Sequence, residues 1–147
     1  MIAHTIQLAL APVFVLVALG NIMNILSTRL GRIVDRARHL QQRHSETFGS
    51  EHDMVVSEIR FCDERIDLIT KAIRNLVISG LAIGTTVATL FVEEMAGYPL
   101  EWVAAVFFLV ALSLLMWALL LFLHETRVAA AALRIPRDYL ELHRKDI

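Results

Sequence analysis

The chain has 147 residues, the length of one domain, and a single cysteine, Cys62, which excludes an intrachain disulfide and any CxxC metal site. It is 56% hydrophobic with a mean hydropathy of +0.59, against ~45–50% apolar residues in soluble domains, which excludes an ordinary water-soluble globule. The net charge of −1 hides a segregation of basic residues that points to a lipid bilayer; no nucleic-acid partner and no cofactor are expected.

The first apolar run covers residues 5–28 (TIQLALAPVFVLVALGNIMNILST). About 20 apolar residues are needed to cross a ~30 Å hydrocarbon core. Continuous runs of this length mean helices, because backbone polar groups in lipid must be satisfied within the segment. A cleaved signal peptide is the rival reading. It is disfavoured because the run is too long and its arginines follow rather than precede it. Pro12 predicts a kink. Asn21, Asn24, Thr28, Arg32 and Asp35 recur at three- and four-residue intervals and so share one helical face. An amide in hydrocarbon needs a hydrogen-bond partner. The stripe is therefore either glue between helices or the lining of a pore in an oligomer.

Residues 29–74 read as a cytoplasmic helical hairpin. Leu26, Leu30, Ile33, Ala37 and Leu40 form one seam, and Val55, Ile59, Cys62, Ile66, Ile69, Ile73 and Leu76 form another. A period of 3.5 residues is that of a coiled coil. The turn lies in RHSETFGSEHD, with Gly49 at the bend and Ser50 and Asp53 as a capping box. The projection is too small for an enzyme domain. It is either a stalk that stiffens the membrane part or an oligomerisation element. His39, His44 and His52 near the tip are weak metal candidates, since their spacing is irregular and no HxxxH pair exists; no metal is expected.

The second span, residues 73–92, carries Gly80, Gly84 and Ala88, a small-residue stripe for close helix packing. The link that follows holds Glu93, Glu94 and Glu101 and no basic residue. In a homo-oligomer these glutamates form an outer acidic ring that concentrates cations; otherwise they belong to a solvated loop. The third span, residues 102–123, is the least polar. Tyr98 and Trp102 suit the outer interface, whereas Trp117 lies deeper and is expected against a neighbouring helix. In the tail, residues 124–147, His124 and Glu125 are read as interface anchors. All 14 basic residues fall in the 29–74 segment or the tail. Lysine and arginine mark the cytoplasmic side, so the N-terminus is outside and the C-terminus in the cytoplasm.

IQLALAPVF (6–14), NIMNILSTRLGRIVDRAR (21–38), ERIDLITKAIRNLVISG (64–80) and LLLFLHETRVA (119–129) together resemble a bacterial membrane-protein family, domain of unknown function 2721. The most specific part is carried by Asn24, Leu26, Arg29, Leu30, Arg32, Ile33, Val34, Asp35 and Arg36. The resemblance implies three membrane helices in a prokaryotic inner membrane and transfers no activity.

The expected fold is all-α: a single membrane domain of three transmembrane helices, with the long hairpin between the first and second. No nucleophile–base pair, P-loop or HExxH occurs, so an enzyme is not expected. The expected function is a homo-oligomeric pore for small ions, lined by Asn21, Asn24, Thr28 and Arg32. The alternative is a scaffold or regulatory subunit that binds a partner through its hairpin.

Overall fold

A computed structural model of the protein describes residues 2–132. These form three helices, α1 (Ile2–His44), α2 (Ser50–Ala96) and α3 (Glu101–Ala132). Each is long and apolar enough to cross a membrane. The basic tail residues Arg134, Arg137, Arg144 and Lys145 lie outside the described residues, while residues 124–132 continue α3.

The first two helices are longer than a bilayer needs. At 1.5 Å per residue, the 43 residues of α1 and the 47 of α2 extend roughly 65 and 70 Å, against a core of ~30 Å. α1 passes through Pro12 as one helix, although the missing N–H leaves the Leu8 carbonyl without its usual donor. The expected hairpin at 29–74 is not a separate element. Its two arms are uninterrupted continuations of α1 and α2, and nothing in the backbone marks where a span ends and a projection begins.

The turn sits where expected but is capped differently. Gly49 has φ +67°, a conformation that only glycine adopts without strain. It is itself the N-cap, and its carbonyl accepts the Asp53 N–H at 3.3 Å. The Ser50–Asp53 capping box does not form, because Ser50 already lies inside the helix and no side chain caps the end. α2 ends at Gly97, whose left-handed backbone lets its N–H reach the Glu93 carbonyl at 2.9 Å.

α2 is the centre of the molecule: it packs along both neighbours, whereas α1 and α3 barely touch. The buried positions recur every seven residues. On α1 they are Leu19, Leu26, Ile33 and Leu40; on α2 they are Val55, Cys62, Ile69, Leu76 and Ile83. Leu30, Ala37, Ile59, Ile66 and Ile73 pack half-buried beside them. The residues of both expected seams therefore meet in one core. A second line on α2, through Ala72, Ser79 and Thr86, is buried too. α3 answers with Ala104, Ala111 and Ala118. Small side chains on facing helices let the backbones approach. Ser79 Oγ consequently donates across the gap to the Ala111 carbonyl at 2.7 Å.

Gly84 and Ala88 lie on the outside of the chain, and a Cβ on Gly84 meets no atom within 4 Å. The close α2–α3 contact is made by the alanine lines, not by the Gly80–Gly84–Ala88 stripe. Trp117 is likewise exposed, with 58% of its surface open.

Substituting Ala111→Leu forces a bulky side chain into this contact and is expected to cost about 1–3 kcal/mol. Leu109→Ala, on the outward face of the same helix, is expected to stay within ~0.5 kcal/mol. Unfolding of the two variants in detergent checks the difference.

Candidate functional site

The alanine line of α3 continues one heptad further to Glu125, whose side chain is 0% exposed. A carboxylate has replaced alanine at the position that points into the bundle. Both of its oxygens are used. Oε2 accepts from Arg29 Nη2 of α1 at 2.7 Å, and Oε1 accepts from Arg65 Nε of α2 at 2.9 Å. One residue of α3 thereby joins all three helices. The Arg29 guanidinium also lies over the Phe122 ring, 5.4 Å from its centroid, a cation–π distance.

The energetics require the full set. Burying an ion pair costs much of its Coulomb gain, but removing one partner of a buried pair strands the other charge. Arg29 and Arg65 are 32% and 24% exposed, so water moderates their charge, while Glu125 has no water to fall back on. Glu125, expected as an interface anchor, has its side chain turned into the bundle, because it sits seven residues after Ala118 and fourteen after Ala111.

Beside this tie opens a cleft of about 310 Å³ lined by Arg29, Arg32, Ile33, Arg36, Cys62, Arg65 and Ala129. Arg36 is held at the rim by Glu58, with Nε to Oε1 at 3.0 Å. Arg32 has no carboxylate partner among the described residues. The Arg29 Nε is buried without an acceptor. Cys62 lies in the wall and is itself buried. Burial, and next the Glu58 carboxylate, push its thiol up against the opposing pull of Arg65 and Arg36.

The residues singled out in the sequence are placed as follows. Asn21, Asn24, Thr28 and Arg32 are all exposed on α1; the first three lie off the Leu19–Leu26–Ile33 face that meets α2, and Arg32 reaches the cleft beside it. Thr28 donates to the Asn24 backbone carbonyl at 3.0 Å, and the two amides have no side-chain partner among the described residues. They do not glue the helices of one chain together. At the opposite end, Glu93, Glu94 and Glu101 share a small cavity of about 100 Å³ with His4 and Thr5, and the Thr5 hydroxyl donates to Glu94 at 2.9 Å. Near the turn, the rings of His44 and His52 are 4.4 Å apart, while His39 is exposed on α1. Among the described residues no three His, Cys, Asp or Glu side chains converge to hold a metal ion.

Residues 9–135 match the family described as Protein of unknown function (DUF2721), and the chain belongs to that family. The matched segment takes in Arg29, Arg65 and Glu125. No curated protein and no solved structure matches.

Glu125→Gln leaves two guanidiniums facing a neutral amide. It is expected to cost about 2–3 kcal/mol, less than the ~3–5 kcal/mol of a fully buried pair because both arginines reach water. Adding Arg65→Met to Glu125→Gln is expected to recover part of that loss, giving a coupling of about 1–3 kcal/mol in a double-mutant cycle read from unfolding in detergent. Separately, Cys62 alkylates through its thiolate. Its raised pKa and burial predict slow reaction with iodoacetamide near neutral pH, accelerating sharply once the protein is denatured.

Proposed function

We propose that copies of this chain assemble in a bacterial inner membrane with the polar stripe of α1 turned toward one another, forming a pathway for small ions. The observation that carries this reading is the exposure of Asn21 and Asn24. Both lie in an apolar run, and neither is covered by α2 or α3. An unpartnered amide facing hydrocarbon costs several kcal/mol on cyclohexane scales. A second copy or enclosed water removes that cost, and closed cyclic symmetry is the default arrangement for identical chains. In this reading Thr28 and Arg32 continue the lining inward, and Glu93, Glu94 and Glu101 stand at the outer mouth. The outward small-residue stripe of Gly84 and Ala88 supplies a surface on which another copy approaches closely. The N-terminus is outside and the arginine-rich ends are cytoplasmic. No catalytic step is part of this reading.

A second reading is favoured by the tip of the α1–α2 hairpin. Phe48 and Met54 there are 85% and 70% exposed. If this end projects into the cytoplasm as a two-helix arm, those side chains offer an apolar contact to a cytoplasmic partner, and the chain serves as a scaffold or regulatory subunit.

Purified protein reconstituted in liposomes is expected to pass small ions, and Asn24→Leu is expected to lower the flux at least about tenfold, the effect of ~1.4 kcal/mol on a barrier. Asn21→Cys is expected to form disulfide-linked pairs between copies in the membrane. Absence of flux at every salt, pH and voltage, with Asn21→Cys remaining unpaired, rules out the pore and leaves the scaffold.

A further inference from the structure

We propose that the arginine cleft beside Glu125 is a binding site for a phosphate group, carried either by a lipid headgroup or by a free phosphorylated solute. This assignment is independent of whether copies assemble around α1.

Charge is the first observation. Four guanidiniums line the cleft, Arg29, Arg32, Arg36 and Arg65, against two carboxylates that pair with them from outside its lining, Glu125 and Glu58. The site keeps an excess of two positive charges. The second is how the donors are committed. Glu125 engages one nitrogen of Arg29 and one of Arg65, and among the described residues the terminal nitrogens of Arg65 have no other acceptor. Among the described residues the buried Arg29 Nε has none either, and Arg32 has no ion-pair partner. A buried donor without an acceptor is costly and asks for a missing partner.

Shape selects the ligand class. The donors come from two helices and converge on one space from different directions. A carboxylate offers two oxygens in a plane, which suits one guanidinium. A phosphate offers three or four oxygens in a tetrahedron and is able to accept from Arg29, Arg32 and Arg65 together. At about 310 Å³ the cleft is large enough for a phosphate with the atoms that carry it. Apolar Ile33 and Ala129 on the wall suit an organic phosphate better than a bare ion.

Place in the fold agrees. Arg29 follows directly on the apolar run 5–28, Glu125 follows on 102–123, and Arg65 precedes 73–92. The cleft thus lies at the level where the apolar segments end, the level of lipid phosphates in a bilayer. Glu125 is a positioning residue here: it fixes two guanidiniums in advance, so little side-chain entropy is lost on binding.

The test uses the full chain in micelles of a non-ionic maltoside detergent, which carries no phosphate, titrated in one arm with phosphatidylglycerol and in the other with inorganic phosphate, with thermal unfolding as readout. Wild type is expected to be stabilised in at least one arm. Stabilisation by phosphatidylglycerol alone assigns the phosphate to a lipid, and stabilisation by inorganic phosphate assigns it to a free solute. The variant Arg32→Gln, which breaks no ion pair, is expected to weaken binding roughly tenfold, and Arg32→Gln with Arg36→Gln further still. Arg38→Gln with Arg60→Gln removes the same charge outside the cleft and is expected to bind as wild type. No stabilisation in either arm, or equal weakening by the two double variants, overturns the proposal.

Discussion

Everything at the arginine-rich end of this molecule is organised by one buried carboxylate. α1 and α3 barely touch, and among the described residues the Arg29–Glu125 bond is the one side-chain hydrogen bond between them. Glu125 also holds α2 through Arg65. In lipid there is little hydrophobic drive for helices to associate, so packing and interhelical polar contacts carry much of the specificity. The Glu125 tie sets the axial register of all three helices at once. A slide of α3 by one residue turns Glu125 about 100° away from its partners.

The rest of the packing follows a seven-residue rhythm that matches this register. Leucine and isoleucine fill the α1–α2 contact, while alanine and serine line the α2–α3 contact. The difference in side-chain size has a purpose. Small residues bring α3 close enough for Ser79 to reach a backbone carbonyl of its neighbour. Glu125 at the end of the alanine line has room because the line before it is thin. Its length carries the charge across to Arg29 of α1.

Much of the architecture was legible in the sequence. Three apolar runs defined three helices, Gly49 marked the turn, and Leu26, Ile33, Leu40, Cys62 and Ile69 were correctly placed in the core. Periodicity reports such faces directly because burial repeats with the helix. The unbroken run of the first two spans into their arms was legible too; what was not was the end of α3 and the partnership of the charged side chains. Apolar windows end where charge begins, so the third span is read to Leu123 and the residues after it as tail, although the helix runs to Ala132. Glu125 is then read as an interface anchor and not as a partner of α1 and α2. A signal did exist, since Ala104, Ala111, Ala118 and Glu125 fall at one heptad position, but a seam of alanines is faint beside one of leucines. The arginines at 29 and 65 were explained by topology alone, which says on which side they lie and nothing about whom they meet. Asn21 and Asn24 were correctly placed on one face, but hydropathy does not show whether that face meets its own chain.

The order in which the helices are made gives the Glu125 tie one more consequence. α1 and α2 are synthesised first and are able to pair along their leucine seam before α3 exists. During that interval Arg29 and Arg65 stand near each other with no carboxylate between them, two like charges on the inner edge of the pair. The last helix then arrives bearing the one group that satisfies both. A chain that lacks the end of α3 lacks the carboxylate that both guanidiniums engage, so the pairing of α1 with α2 and the neutralisation of these two charges depend on different parts of the sequence.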